Sequence, residues 1–402
     1  MSVASAPVLG NLYAARAKTL APAQIWPEHE GDLISLAYGF AAPELFPTDD
    51  LLSATAEVLA EDAAEGLNYG PTYPRLVELV ANRLRAQGTP AEPDNILIAY
   101  GSSQILALLP QVFIDPGDAV IVEGPTFMGA VRHFALAGAN LITVDVDEQG
   151  LNVDALEATL RDLAQRGQRA KFIYTIPTFH NPSGTLMPLE RRQRLVALAK
   201  EYGVLIVEDD AYGDLYFENP PPLRLSALDH DGWVLQVGTF SKILAPGLRM
   251  GWACGSHEII QRLASFKVEG SSGPFLTRVV ERYCADGRLE RHIADLRVAY
   301  RARRDLMLAT IAREWLPEVR VAKPEGGFFV WARLPQGLSA TALLSESEKH
   351  GVTFVPGTHF YANGQGDNAF RLSFSFVPLH QIEDGIARIG AALRVLSKQA
   401  GD

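Results

Sequence analysis

Cysteine is scarce in this sequence, which has only Cys254 and Cys284 among its 402 residues. Two distant cysteines are too few for a disulfide framework or a zinc knuckle, so we expect a protein of a reducing compartment. No basic block offsets the net charge of −11, which argues against a nucleic-acid-binding surface. No apolar run reaches the length of a membrane span, and residues 1–10 lack the basic start and apolar core of a signal peptide. We therefore predict a cytoplasmic protein with a small-molecule partner and no membrane association.

Apolar residues are plentiful, at 48% of the chain, which is enough for a large core and two domains. Between residues 95 and 255, apolar runs of strand length alternate with amphipathic helical stretches. This alternation is typical of a mostly parallel sheet covered by helices on both faces. Helical patterns then dominate to about residue 313, and we expect a long helix near 289–313 to pass into a second domain.

One lysine lies in the loop that follows a strand-like run. The run 233–238 leads into a loop that carries Lys242. The hydroxyls of Thr239 and Ser241 and the guanidinium of Arg249 are spaced to gather around one anion, while an amine in a partly desolvated pocket becomes a usable nucleophile. That combination suits an aldehyde cofactor that carries a phosphate. A solvated surface lysine is the alternative for Lys242 taken alone.

A second anion-binding element follows the apolar run 95–100. Gly101, Ser102 and Ser103 come next, before an apolar helical stretch over 105–114. Backbone N–H groups at a helix N-terminus, with the helix dipole behind them, favour a phosphate. We predict that this turn forms the other half of the phosphate site.

Two charged residues interrupt apolar strand-like runs. Residues 204–207 run into acids, and Asp209 is the central one, as expected at the functional tip of a buried parallel strand. Its neighbours Glu208 and Asp210 are expected to be solvated or structural. Arg371 lies inside an alternating apolar stretch, where a buried guanidinium needs an anion and matches a carboxylate bidentately. An arginine directed to solvent is the alternative.

These segments resemble the class I/II aminotransferases, pyridoxal-phosphate enzymes of the aspartate aminotransferase superfamily. The motifs are most similar to the branch that contains 2-aminoadipate and kynurenine aminotransferases and the MocR-type regulators. The resemblance covers roughly residues 32–395. It rests on several motifs that occur in family order: residues 32–47, 68–73, 101–104, 124–127, 179–184, 208–212, 239–249, 325–331 and 370–375.

The resemblance implies the α/β architecture called fold type I. Residues 49–290 would form a large domain around a mostly parallel, seven-stranded sheet. Residues 291–402 would form a smaller α/β domain, which the N-terminal segment 1–48 would join. The family also implies a homodimer whose active sites lie at the subunit interface.

The same resemblance assigns roles toward pyridoxal 5'-phosphate and substrate, and it implies no metal. Lys242 would hold the cofactor and move the substrate proton, and Asp209 would keep the pyridine nitrogen protonated. Tyr212 and Asn181 would hydrogen-bond the phenolic oxygen of the cofactor. Asn181 would also contact the substrate, and Arg371 would bind the substrate carboxylate. The other expected contacts with cofactor or substrate are Tyr38, Gly39, Tyr69 from the neighbouring subunit, Gly101, Ser102, Ser103, Phe127, Thr239, Ser241 and Arg249.

Some positions keep a second interpretation. Gly39 also suits an ordinary turn, and Phe127 also suits a core side chain. Tyr38 stands where relatives usually carry glycine, so we expect it to narrow the pocket. His180 is expected to be a loop histidine without a role in the chemistry. Arg16, on a possible N-terminal helix, would reach a substrate side chain or be solvated.

The predicted reaction moves an amino group from an L-amino acid to a 2-oxo acid. A pocket lined by Tyr38, Phe127 and Phe360 would favour aromatic or 2-aminoadipate-like donors. The same lysine and phosphate site would also suit a β-lyase, decarboxylase or racemase. The cofactor supplies the chemistry in all of these enzymes, and the shape of the substrate pocket determines which substrate bond is broken. A MocR-like domain that senses a ligand is a third hypothesis. It would need a basic winged helix-turn-helix in front of it to bind DNA, and we expect no room for one before residue 32.

Overall fold

The computed structural model describes residues 12–14, 17 and 33–401. The chain divides into two compact units, Met1–Leu33 and Ile34–Asp402. In the first unit, one turn is described, in which the Ala17 N–H donates to the Ala14 carbonyl at 2.9 Å. Arg16 lies outside the described residues, and so does much of the possible helix around it.

Strands and helices of the second unit alternate through most of its length. The strands are β1 (Ile34–Ser35), β2 (Ile96–Tyr100), β3 (Ala119–Gly124), β4 (Asn140–Asp147), β5 (Gly150–Leu151), β6 (Ala170–Thr175), β7 (Leu205–Asp209), β8 (Val234–Thr239), β9 (Met250–Cys254), β10 (Arg320–Val321), β11 (Phe329–Arg333), β12 (Val352–Thr353), β13 (Val355–Pro356) and β14 (Ala369–Ser373). The α-helices are α1 (Thr48–Glu61), α2 (Ala63–Gly66), α3 (Pro74–Ala86), α4 (Ser102–Phe113), α5 (Met128–Leu136), α6 (Val153–Gln165), α7 (Leu189–Tyr202), α8 (Leu225–Leu228), α9 (His257–Phe266), α10 (Pro274–Cys284), α11 (Arg288–Glu314), α12 (Ala340–Lys349) and α13 (Leu379–Gly401).

The large sheet has the strand order β2-β9-β8-β7-β6-β3-β4-β5. Neighbouring strands from β8 to β4 pair in parallel, and β9 and β5 pair antiparallel to their neighbours. Strands β3, β7 and β8 are buried along their whole length, as expected for apolar strands covered on both faces. Beyond the seven predicted strands, the sheet gains the two-residue β5, which is too short for its sequence to signal.

The topology brings the ends of several strands to one edge of this sheet. The parallel strands β3, β6, β7 and β8 all end there. Because β9 pairs antiparallel with both β8 and β2, its first residue lies beside the last residues of those two strands. In sheets of this type, ligands bind at the carboxyl edge.

A second, four-stranded antiparallel sheet follows later in the chain, in the order β10-β11-β14-β13. Helices α11 and α13 pack against each other. The short strand β1 pairs in parallel with β12, with Ile34 opposite Val352, so the segment before α1 joins the C-terminal part of the chain. The domain limits at residues 48 and 290 stay a prediction. None of the described helices is both long and apolar enough to cross a membrane.

Candidate active site

Lys242 lies in the loop after β8, at the carboxyl edge of the large sheet. Its Nζ donates a hydrogen bond to the Gly39 carbonyl oxygen at 2.9 Å and lies 5.9 Å from the centre of the Tyr212 ring. Burial is the main reason that the pKa of Lys242 falls to about 8; the charge of Arg371 acts in the same direction, and that of Asp209 opposes it. Because the neutral amine is the nucleophile, this shift enlarges the reactive fraction at neutral pH.

Asp209 ends β7 and is 5% exposed. Its Oδ2 accepts a hydrogen bond from the Tyr174 hydroxyl at 2.7 Å, whereas its Oδ1 is buried and accepts none from the described residues. Burial raises the pKa of Asp209 to about 6, and the Tyr174 hydrogen bond partly offsets that effect. A buried acceptor without a donor is costly. A protonated ring nitrogen would supply the missing donor.

Tyr212 follows β7 closely and is also buried, at 4% exposed. Its ring makes edge contacts with Phe328 and Phe329, at centroid distances of 5.3 and 5.7 Å. Burial raises the pKa of Tyr212 above its ordinary value, so the hydroxyl stays protonated. It can therefore donate a hydrogen bond beside Lys242.

The N-terminus of α4 forms one side of the predicted anion site. Ser102 and Ser103 begin the helix, and the preceding Gly101 has a φ of 72°, a conformation that favours glycine. Arg249 Nη2 donates to the Tyr100 carbonyl at 3.2 Å, and a Cβ on Gly101 would lie 3.0 Å from that same nitrogen. The guanidinium therefore lies beside the turn that begins the helix, and the N–H groups at a helix N-terminus favour an anion.

Two hydroxyl side chains complete this site because β9 lies between β2 and β8. Thr239 ends β8 opposite Gly251, and its Oγ1 donates to Ser241 Oγ at 2.9 Å. A Cβ on Gly251 would lie 2.6 Å from the backbone nitrogen of Ser102, so β9 and the start of α4 are in close contact. We call Gly101, Ser102, Ser103, Thr239, Ser241 and Arg249 the anion cluster.

Arg371 lies in β14 and is 8% exposed. Its Nη1 donates to Asn181 Oδ1 at 2.9 Å and its Nη2 donates to the Ala37 carbonyl at 2.6 Å. The guanidinium carbon lies 4.2 Å from the centre of the Phe329 ring and 4.8 Å from that of Phe360. Burial lowers the pKa of Arg371 to about 10, and Nε has no partner among the described residues. A carboxylate would supply the counter-charge and the missing acceptor.

His180 lies in the loop after β6 and is fully buried. Its Nδ1 accepts from the Ser183 N–H at 3.2 Å, which leaves Nε2 to carry the proton and donate to Glu123 at 3.1 Å. Glu123 also accepts from the Ile176 N–H at 3.0 Å. These bonds fix the turn that contains Asn181. The sequence signal that could have indicated this buried contact was the acidic residue Glu123 near the end of an apolar strand.

The remaining predicted residues lie in different surroundings. Tyr38 stacks on Phe40 with a centroid distance of 5.0 Å and meets the edge of Phe376 at 6.1 Å. Phe127 is half-buried just after β3, at the same sheet edge as Asp209. Tyr69 is fully exposed, so the fold does not bring it into the buried cluster of its own chain.

A low-pKa amine, an unsatisfied buried carboxylate oxygen and an anion cluster lie at one sheet edge. They match the aldehyde, ring nitrogen and phosphate of pyridoxal 5'-phosphate. The fold and the site therefore define a pyridoxal-phosphate-dependent aminotransferase of fold type I.

The chain belongs to the aminotransferase class I and II family, which residues 32–389 match. It is 39% identical to the aromatic-amino-acid aminotransferase 1 of Thermococcus litoralis, over 90% of this chain and 88% of the relative. It is also 39% identical to the 2-aminoadipate transaminase of Thermus thermophilus, over 90% and 91% of the two chains. The solved α-aminoadipate aminotransferase of Thermus thermophilus, in complex with N-(5'-phosphopyridoxyl)-L-leucine, is 36% identical, with a TM-score of 0.89 over 98% of this chain and 100% of that one. The predicted family, fold class, cofactor and enzyme class are confirmed.

Proposed function

We propose that this aminotransferase takes the amino group from L-amino acids with an aromatic or 2-aminoadipate-like side chain, and that it acts as a homodimer in the cytoplasm. One observation carries the proposal. Lys242 Nζ donates to the Gly39 carbonyl and Arg371 Nη2 donates to the Ala37 carbonyl, so an amine and a guanidinium converge on one short segment. An α-amino acid has a carboxylate for the guanidinium and an α-carbon within reach of the amine.

Arg371 binds and orients the substrate. Its guanidinium would exchange the Ala37 carbonyl for the α-carboxylate, a stronger acceptor with matching geometry. The rings of Phe329 and Phe360 against the guanidinium support this role, because they exclude water and strengthen the charge interaction. Asn181 holds the guanidinium in place through its Oδ1, which leaves its amide nitrogen as a donor toward the phenolic oxygen of the cofactor.

Lys242 holds the cofactor and then moves the proton. When bound, pyridoxal phosphate supplies an electron sink and a carrier for the amino group. The lowered pKa of Lys242 supports its use as a general base, since a neutral amine can take the proton from the substrate α-carbon and return it elsewhere. Asp209 holds a proton on the pyridine nitrogen by charge, and the protonated Tyr212 hydroxyl donates a hydrogen bond beside Lys242.

An aromatic surface supports the proposed donor class. Tyr38, Phe40 and Phe376 pack together next to Gly39, whose carbonyl accepts the Lys242 hydrogen bond. A substrate ring could add an edge-to-face contact to this group, which contributes about 0.5–1.5 kcal/mol per pair. The named activities of the relatives, toward aromatic amino acids and 2-aminoadipate, support the same range of donors.

Exposed apolar side chains support the homodimer. Leu52, Leu59 and Leu67 are 70%, 44% and 68% exposed, and Tyr69 near them in the sequence is fully exposed. Grouped exposed apolar residues are typical of protein interfaces. For location, two buried cysteines that form no disulfide are consistent with a reducing compartment, and cell fractionation with an antibody would test it.

The function is tested by adding a panel of L-amino acids to the purified holoenzyme without any oxo acid and recording its near-ultraviolet and visible spectrum. We expect aromatic amino acids or 2-aminoadipate to convert the bound cofactor to pyridoxamine phosphate with release of the matching 2-oxo acid. Release of ammonia or carbon dioxide would replace aminotransfer with an elimination or a decarboxylation. A spectrum that no donor changes would contradict the proposed donor class.

A further inference from the structure

Tyr174 contacts the carboxylate of Asp209 from the neighbouring strand. Strand β6 runs parallel to β7, with Tyr174 opposite Val207. Tyr174 is fully buried, and its ring meets the edge of Phe134 at a centroid distance of 5.7 Å. Its hydroxyl donates to Asp209 Oδ2 at 2.7 Å. Among the described side chains, no other donates a hydrogen bond to this carboxylate. The packed ring therefore fixes the donor in place.

The proton on this hydrogen bond belongs to the tyrosine. Burial, together with the negative charges of Asp209 and Glu123, raises the pKa of Tyr174 well above its ordinary value. The hydroxyl is thus protonated at neutral pH. Both oxygens of an ionised Asp209 are acceptors, and Tyr174 occupies one of them.

We propose that Tyr174 is a positioning residue for the cofactor: its hydroxyl holds Asp209 Oδ2 and leaves the buried Oδ1 as the acceptor for the pyridine nitrogen. A carboxylate that was free to rotate, or that was protonated, would be a poorer partner for a positively charged ring nitrogen. Tyr174 thus acts on the cofactor through Asp209 and has no predicted contact with the substrate. The inference rests on the proposed role of Asp209.

The charges around Asp209 show in which direction its pKa changes when the Tyr174 hydroxyl is removed. Burial favours its neutral form, and the negative charges of Asp210 and Glu123 act in the same direction. Against these stand the Tyr174 hydrogen bond and the positive charge of Lys242, and the hydrogen bond is the larger of the two. Removing the hydroxyl therefore raises the pKa of Asp209, and cofactor binding would begin to fail at a higher pH as the solution is acidified.

The test measures binding of pyridoxamine phosphate to the full chain by calorimetry, since this amine form cannot bond covalently to Lys242. We expect Tyr174→Phe to weaken binding about tenfold near pH 7, the size expected for one hydrogen bond to a charged group. The acid limb of the affinity profile should also move to higher pH. The matched control is Tyr300→Phe, which removes another buried tyrosine hydroxyl, one that accepts from the Ala42 N–H at 3.2 Å. That control should leave the affinity unchanged.

Two further variants separate this inference from the role of Asp209. Asp209→Asn should weaken binding strongly, and adding Tyr174→Phe to it should have no additional effect, because the two residues act as a unit. Wild-type affinity in Asp209→Asn would overturn the role of Asp209 itself. Weak binding in Asp209→Asn with wild-type affinity and pH profile in Tyr174→Phe would overturn the role of Tyr174 alone.

A second substitution keeps the inference testable if Tyr174→Phe does not fold. Fluorotyrosine at position 174 keeps the shape of the side chain but makes the phenol a stronger hydrogen-bond donor. We expect the acid limb of pyridoxamine phosphate binding to move to lower pH, opposite to the effect of phenylalanine. An unchanged limb would contradict the proposal.

Discussion

Lys242 Nζ and the Gly39 carbonyl oxygen lie 2.9 Å apart, which joins the loop after β8 to the extended segment after β1. The segment can approach this closely because residue 39 has no side chain. A Cβ there would lie 2.6 Å from Cζ of Phe329. The lysine is thus held near the backbone that also accepts a hydrogen bond from Arg371, through Ala37.

The buried amine of Lys242 should cost stability in the cofactor-free protein. Its pKa falls from 10.5 to about 8 on folding, so between these values the unfolded chain binds more protons, and this contribution to stability rises with pH. We expect Lys242→Met to abolish aminotransfer and to increase the free energy of unfolding near pH 7 by on the order of 2 kcal/mol, allowing for partial solvent screening. Urea denaturation at several pH values measures the effect, and the gain should shrink toward pH 10.

The control for that experiment is Lys200→Met. Lys200 forms an exposed ion pair with Asp231, so the substitution should change stability little at any of these pH values. A Lys242→Met protein that is no more stable than wild type near pH 7 would contradict the burial of a charged amine.

Replacing Arg371 tests carboxylate recognition. Arg371→Lys keeps the charge but loses the planar pair of donors, so we expect kcat/KM for amino acids to fall about a hundredfold. The slow reaction of the corresponding amine, which lacks the α-carboxylate, should be unaffected and serves as an internal control. Equal losses with both substrates would mean that the substitution damages the site generally and that Arg371 is not a specific carboxylate ligand.

The sequence predicted best the elements whose ends carry strong local signals. The helix Leu189–Tyr202 has such signals at both ends, since Pro188 precedes it and Gly203 ends it with a φ of 61°. The relation between Tyr174 and Asp209 was not predictable, because a tyrosine within an apolar strand has the same signal as any core residue. Register between β6 and β7 decides that contact, and apolar strands that are covered on both faces lack the alternation that would specify register.

The anion cluster depends on the close approach of β9 and α4. A Cβ on Gly251 would lie 2.6 Å from Ser102 N and 2.7 Å from Gly101 C, and backbone atoms cannot move aside cheaply. We expect Gly251→Ala to displace the start of α4 and weaken pyridoxal phosphate binding about tenfold or more, measured by titration of the cofactor-free protein. Gly247→Ala is the matched control, because no atom lies within 4 Å of its added Cβ. Equal affinities in the two variants would contradict the role of this contact.

A shared active site makes a specific prediction for mixed dimers. Tyr69 is fully exposed in its own chain, and in the proposed dimer it serves the site of the neighbouring subunit. Tyr69→Ala and Lys242→Ala should each lose most activity. A hybrid of the two variants would carry both defects in one site and none in the other. Random pairing of equal amounts should therefore restore about one quarter of wild-type activity, since about half of the dimers are hybrids with one intact site each.

The control pair for this experiment is Asp209→Asn with Lys242→Ala. Both residues lie at the buried sheet edge of one chain, where the charge of Lys242 lowers the pKa of Asp209 and the charge of Asp209 raises the pKa of Lys242. Each site of that hybrid keeps one defect, so no activity should return. Differently tagged subunits show by joint purification that hybrids form. Hybrids of Tyr69→Ala and Lys242→Ala that form but stay inactive would mean that Tyr69 does not complete the partner's site, because complementation requires an intact lysine and an intact tyrosine on opposite chains.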